Sequence, residues 1–454
     1  MNGEVIRGTV APSFRVSVIV LAVAVAGAVC LVLPPILVLG TTLALVVLWG
    51  IFRYPINCLG ILLAIMPFHF LVILLAEFFS LPHVTMFSGL TKEIPLLIVG
   101  AVLWRRNGFR PTASDWWLAA CLMIGAGRTV FDGNVEGLRD DFQFVLPYLV
   151  GRVAVLSDRQ RLLWARWAVW LAISVSLFGM AELFLLGPIP RTVLYTALPT
   201  DLVSSEPGRL PNSFYATGFD GLRAASTMIG PPSLAALCMV ALIIWWVYFR
   251  SPIQGALLFA GLVSTLTRSA WIGTAVAICI LAFRLGRKAR LAGYTTAALV
   301  AFLALIPILG ISDFLSFTHS GQDSSELRHR ESLEAGSEYV LTHPVGAGGG
   351  KVGPVASQDN ANALITESSY LAFSAEYGWA GGLCFVCFLT STMIQTWKSR
   401  QPLAYAATGI LTGFAIIMTV LLIHEDFRLA CWVWFPIGLA IRQGDDVEQL
   451  PVAA

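Results

Sequence analysis

Apolar runs of about 15–24 residues recur from one end of this chain to the other, and they leave few folds open. A bilayer core about 30 Å thick is crossed by a helix of about 20 residues, each rising about 1.5 Å. The runs predict spans near 13–33, 36–52, 56–79, 88–104, 115–130, 142–156, 162–186, 228–249, 253–267, 270–285, 291–311, 376–396, 403–423 and 427–442. Several are short, so about 12–14 transmembrane helices are expected. Only 12% of the residues are charged, about half the share of a soluble domain. The expected fold class is an all-α polytopic membrane protein with a large extracytoplasmic loop containing short helices. The first span is long and lacks a clear small-residue cleavage site, so it reads as a retained helix and not a removed signal.

The net charge of +2 identifies no partner and gives no reason to expect nucleic acid, but its placement fixes an orientation. With the N-terminus inside, short inside loops collect Arg7, Arg15, Arg53, Arg105, Arg106, Arg110, Arg152, Arg159, Arg161, Arg250, Arg284, Arg287, Lys288, Arg290, Lys398, Arg400 and Arg442. That is the positive-inside pattern, and it puts both termini in the cytoplasm. One membrane domain over 1–454 is expected, with a first long outside loop at 187–226, a larger one at 312–374 and a cytoplasmic tail at 443–454. All eight cysteines fall in predicted spans, so no disulfide framework is implied. Cys384-x-x-Cys387 lies inside LCFVCFL, where packing is the better reading than a redox or zinc pair.

Chemistry concentrates in the larger loop. Ser312–Ser374 holds three of the six histidines, His319, His329 and His343, together with Arg328, Arg330, Lys351 and Glu367. Within it SSELRHRESLEAGSEYVLTHP has helical spacing, so an extramembrane helix is expected, followed by a flexible VGAGGGKVGP turn. That turn lacks the order and the preceding strand of a phosphate-binding loop. Outside arginines run against the charge bias. They include Arg223 before a span, Arg268 in a short turn between two spans, and Arg328 and Arg330 in the loop. A guanidinium forks onto phosphate oxygens, so each is a candidate for a phosphate or pyrophosphate ligand, with a lipid headgroup or a local acidic neighbour as the plainer alternative. Glu367 can act as a general base or simply stabilise a helix N-terminus capped by Thr366. His343 can be a base or the end of a helix before Pro344. Lys92-Glu93 and the turn His424-Glu425-Asp426 with Arg428 read as polar structure. Glu182 is the main acidic residue near a span interior, the kind a transport path requires.

Four segments, in order, resemble the O-antigen ligase and O-antigen polymerase group of bacterial membrane glycosyltransferases. They are Arg223-x7-Pro231; Thr267-Arg268-Ser269-Ala270-Trp271; Arg328 followed by His343-Pro344-Val345-Gly346-x-Gly348; and Glu367-Ser368-x-Tyr370-Leu371 with Glu376-x-Gly378-x-x-Gly381. The likeness covers roughly 220–385. This sequence departs from the family at Glu367, where the family carries a histidine regarded as the ligase's base, and at Ser332, where it carries a tryptophan. The resemblance implies a metal-independent, cofactor-free transferase acting on undecaprenyl-diphosphate-linked glycan at the outer face of the inner membrane. Catalytic roles are implied for Glu367, Arg268 and Arg223, and substrate binding for Arg328, Arg330, His343 and Tyr370. The missing histidine favours a polymerase of O-antigen or exopolysaccharide repeat units, working beside a chain-length regulator or flippase. A ligase is the alternative, and a polysaccharide or lipid transporter the alternative of another class.

Overall fold

The computed structural model describes residues 45–78, 84–132, 134–187, 191–192, 214–216, 219–228, 230–287, 324–353, 364–424 and 426–448. The spans expected at 13–33 and 291–311, and much of that at 36–52, lie outside these residues. The chain divides into two compact units, Met1–Cys58 and Leu59–Ala454. In the first, residues 45–53 are helical.

The described helices are α1 Pro55–Ile65, α2 His69–Phe78, α3 Val84–Asn107, α4 Ala113–Asp132, α5 Val135–Asp141, α6 Val145–Val153 and α7 Asp158–Ala181. They continue as α8 Pro231–Tyr248, α9 Pro252–Ser264, α10 Arg268–Arg284, α11 Ser324–Thr342, α12 Ser369–Lys398, α13 Pro402–Ile417 and α14 Phe427–Glu448. The chain is thus an all-α polytopic membrane protein, to which a short antiparallel hairpin, β1 Tyr215–Ala216 with β2 Phe219–Leu222, is added. Among the described residues four helical stretches are long and apolar enough to cross a membrane: Pro55–Leu75, Asp158–Leu186, Pro231–Tyr248 and Ser369–Lys398.

Local chemistry sets the boundaries. Proline, pre-set for the first helical turn and lacking an N–H that would go unused there, opens α8, α9 and α13. Ser157 and Gln160 form a reciprocal capping box at the start of α7. The expected spans at 56–79 and 142–156 each depart from a single straight helix. The run at 56–79 is interrupted by a 3-10 turn at Met66–Phe68, where Pro67 sits. The run at 142–156 yields only the nine residues of α6. Helix α6 packs chiefly on α14, and glycine permits the approach: a Cβ on Gly151 would collide with Phe435 O, and one on Gly438 with Tyr148 O. Apolar on every side, α8 sits at the centre, buried along nearly its whole length.

Several of the basic residues expected inside are, among the described residues of the second unit, bonded to neighbouring helix ends. Arg284 donates to Thr408 Oγ1 (2.9 Å) and Ser399 O (2.8 Å), Arg287 to Trp246 O (2.5 Å), and Arg442 to Asn107 O (3.1 Å). Buried Arg152 pairs with Asp115 at 2.9 Å, beside Tyr148.

The most consequential departure lies in α12. It begins at Ser369, seven residues before the expected span, and breaks at Gly378 (φ 70°, ψ −174°). A break inside a helix orphans backbone groups on both sides, and in a membrane protein these need partners. The glycine loop after α11 supplies them. Ala347 N–H donates to Ala375 O (2.7 Å), Gly348 N–H to Glu376 O (2.9 Å), and Trp379 N–H to Pro344 O (3.0 Å). Arg128 binds Gly346 O (3.0 Å) and Asn134 binds Gly349 O (2.9 Å) from the other side. The turn read as flexible is therefore fixed along 344–350, and backbone hydrogen bonding is the reason.

Gly346 and Gly378 both hold positive φ, and a Cβ on either would collide with backbone of the other segment. Gly378→Ala is expected to cost at least about 1–3 kcal/mol, read as a lower melting temperature of the detergent-purified chain. Gly127→Ala, at a helical site with open space around it, is the control expected to leave melting unchanged or slightly raised.

Candidate active site

The ends of several helices converge. Near the start of α10, Gly273 lies against the backbone of Gly413 in α13. At the start of α12, Ser369 N–H donates to Met418 O (2.9 Å) and Tyr370 Oη to Ala415 O (3.0 Å). Ser233, in the first turn of α8, donates to Asp426 Oδ2 (2.7 Å). The N-terminal ends of α8, α10 and α12 therefore surround residues 413–426, which brings together segments that are distant in sequence.

Arg223 and Arg268 meet at the turn that precedes α10. Arg223 Nε donates to Thr265 O (2.9 Å) and its Nη2 to Thr267 Oγ1 (2.8 Å), so its guanidinium lies on the turn that leads into Arg268, the first residue of α10. Leu266 takes a left-handed conformation (φ 49°) to close that turn. Burial, and then the neighbouring Arg268 charge, pull the Arg223 guanidinium down to about 10, which leaves it cationic at neutral pH. Two cations are thus held side by side where α10 presents its N-terminal amides, an arrangement suited to an anion.

Glu367 precedes α12; the residue at the helix boundary is Ser368, and no side chain caps it. The Thr366-capped helix start is therefore not what forms. Instead Glu367 N–H donates to Ser332 Oγ (2.8 Å), and the Glu367 carboxylate pairs with His329 Nδ1. Thr366 is buried beside Gly336, where a Cβ would press on Thr366 Oγ1. His329, Ser332 and Gly336 lie at i, i+3 and i+7, one face of α11, and that face is laid against 366–367. His329 has no role in the motifs of the sequence, and its spacing to Ser332 and Gly336 is the one local signal for this face.

The other expected site residues have local partners. Arg330, one position along α11, is exposed and pairs with Glu334 at 2.8 Å. His343 ends α11, stacked on Tyr339 with ring centroids 4.0 Å apart, its Nδ1 near Thr342 Oγ1 (2.9 Å). The Tyr370 hydroxyl is taken by Ala415 O. Arg328 lies on α11, but its side chain is outside the described residues, as is Glu425. Burial takes His424 down to about 3, and its Nδ1 faces Ser369 Oγ (2.9 Å). Glu182, the acidic residue a transport path would use, is bound by Arg191 at 2.5 Å and accepts Ser226 N–H (3.2 Å).

Beneath the glycine loop is an acidic pair, Asp141 and Glu376, that the sequence did not disclose. Buried Glu376 accepts Val352 N–H (3.2 Å), and Tyr377 Oη donates to Asp141 Oδ2 (2.5 Å). Burial pushes the Asp141 carboxyl up to about 6, against hydrogen bonds from Glu376, Tyr377 and the Gly350 amide that lower it.

Residues 253–386 match the family model described as O-antigen ligase, so this stretch, from α9 into α12, is O-antigen ligase-like. No curated protein matches the chain significantly. The matched stretch contains Arg268, His329 and Glu367; Arg223 lies before it.

The Asp141 shift carries a sign. Between about pH 4, where an ordinary carboxyl titrates, and about 6, the folded chain holds a proton there that the unfolded chain has lost. The stability contributed by this group is therefore full below that window and falls as pH rises through it. Asp141→Asn is expected to flatten the dependence of melting temperature on pH across the window.

Proposed function

Because its central stretch is O-antigen ligase-like, we propose that the chain is a membrane glycosyltransferase that polymerises repeat units carried on undecaprenyl diphosphate. It works at the outer face of the inner membrane, with both termini in the cytoplasm, as one domain over 1–454. What supports this reading is two kinds of group: the neighbouring guanidinium groups of Arg223 and Arg268 at the turn into α10, and the carboxylate–imidazole pair of Glu367 and His329 between α11 and the start of α12.

The chemistry follows from those groups. Transfer from a lipid diphosphate breaks the bond between the anomeric carbon and a phosphate oxygen, and negative charge grows on that oxygen. Arg223 and Arg268, held in place before the reaction, stabilise that charge better than mobile water would. The acceptor is a sugar hydroxyl that must lose its proton as it attacks, and the Glu367–His329 pair receives it. Direct displacement inverts the sugar carbon. Arg328, one residue before His329 on α11, is the further cation for the second phosphate. The glycan leaves the bundle beneath α11, and the lipid lies between helices. A chain-length regulator or a flippase is the expected partner.

The transporter reading loses its main support, since Glu182 is committed to Arg191 and the Ser226 amide. The ligase reading shares the same groups and differs only in the acceptor.

The deciding experiment resolves lipid-linked glycans by length in cells lacking the gene, complemented with wild type or with Glu367→Gln. Single repeat units are expected to accumulate on the lipid in the deletion, with long chains restored by wild type and reduced at least about tenfold in the variant. Long chains stranded on the lipid would identify a ligase instead. A ladder unchanged by deletion would remove both transferase readings.

A further inference from the structure

The Glu367 carboxylate and the His329 imidazole are joined, and only one of them can be the group that takes the acceptor's proton. Resting on the transferase reading above, we infer that this group is His329 and that Glu367 is the positioning residue behind it. Glu367 is held from two directions. Its amide is bonded to Ser332 Oγ at 2.8 Å, and its carboxylate is engaged with His329 Nδ1. The imidazole is correspondingly oriented. With Nδ1–H given to the carboxylate, the neutral ring has its lone pair on Nε2, which is the tautomer a base requires. The same division of labour, a fixed carboxylate that sets tautomer and orientation behind an imidazole, recurs wherever a histidine is made to accept a proton from a hydroxyl.

Access favours the same assignment. Neither member is sealed off: 38% of the His329 side chain and 37% of the Glu367 side chain are exposed. An acceptor sugar approaching along α11 can therefore reach the ring. A carboxylate already bonded to an N–H is a weaker proton acceptor than the free nitrogen of the ring it orients. The backbone around the pair is also determined: Gly336 and Thr366 touch, and Trp379 Nε1 donates to Val340 O (2.7 Å), so α11 is fixed against the start of α12 at several points along its length.

The step balances with no further reactant. The acceptor O–H proton passes to His329 Nε2 while the acceptor oxygen bonds to the anomeric carbon. The bond from that carbon to the diphosphate oxygen breaks, and the lipid diphosphate leaves with the electron pair. The imidazolium, stabilised by Glu367, then returns its proton to solvent.

The test uses the purified full-length chain and, as probe, lipid-diphosphate-linked repeat units extracted from the deletion strain, with rates followed against pH. Size-exclusion profiles confirm that each variant is folded. His329→Gln is expected to lower kcat about 10²-fold or more with KM changed less than about threefold, and the acid limb of the rate profile is expected to be missing from it. Glu367→Gln is expected to lower kcat about 10- to 100-fold while keeping an acid limb, and Glu367→Asp to recover part of the loss. The reverse pattern, with the acid limb missing only from Glu367→Gln, would make the carboxylate the base and overturn the assignment. So would a His329→Gln chain as fast as wild type. Wild type that leaves these lipids unchanged would overturn the transferase reading, and this assignment with it.

Discussion

A helix cannot be broken inside a membrane protein without new partners for its backbone, and that requirement organises the functional end of this molecule. At Gly378 the ladder of α12 stops, and the carbonyls of Ala375 and Glu376 and the amide of Trp379 are left over. Residues 344–348 take all three. Because those residues follow α11 directly, the bonds that repair the break also fix the C-terminal end of α11 over the first turns of α12. Placement of His329 and Ser332 against 366–367 follows from this at a distance of several turns. The region that resembles loose, glycine-rich chain is thus what holds the candidate site in register.

The arginine side of the site rests on a different device. Arg223 is pinned by its fork to a carbonyl and a hydroxyl of the Thr265–Thr267 turn, and the left-handed Leu266 lets that turn close. Like charges side by side at a helix N-terminus are costly, and for Arg223 the carbonyl and hydroxyl acceptors of the turn offset part of that cost. The arginine pair is carried at the start of α10 and the carboxylate–imidazole pair by α11 and the residues before α12, and both α10 and α12 pack on α13. No single loop bears the whole of it.

How much of this was readable in the sequence depends on the kind of signal. Apolar length and helix-starting prolines place α8, α9, α10 and α13 within a few residues of the expected spans, since burial and the missing proline N–H act locally. Helix α11 was visible from its periodicity. Arg223 and Arg268 were visible because cations on the wrong side of a charge bias stand out. The break in α12 was not, because AEYGWAGG reads as an ordinary small-residue stretch until the loop that satisfies it is known. His329 and Arg330 are neighbours in sequence but stand about 100° apart around a helix, so one faces Glu367 and the other solvent. Only the docking of α11 decides which. Asp141 and Glu376 are more than two hundred residues apart, and nothing local announces their pairing.

The mutual fit of Gly346 and Gly378 also bears on how such a chain can diverge. The two glycines occupy each other's missing side-chain volume, so neither position is free to vary alone, and a residue inserted between His343 and Gly348 would shift every bond across the break by one register. In any lineage that exchanges segments by recombination, a crossover between Pro344 and Trp379 would therefore separate partners that must change together. The stretch from the glycine loop through the break would be inherited as one block.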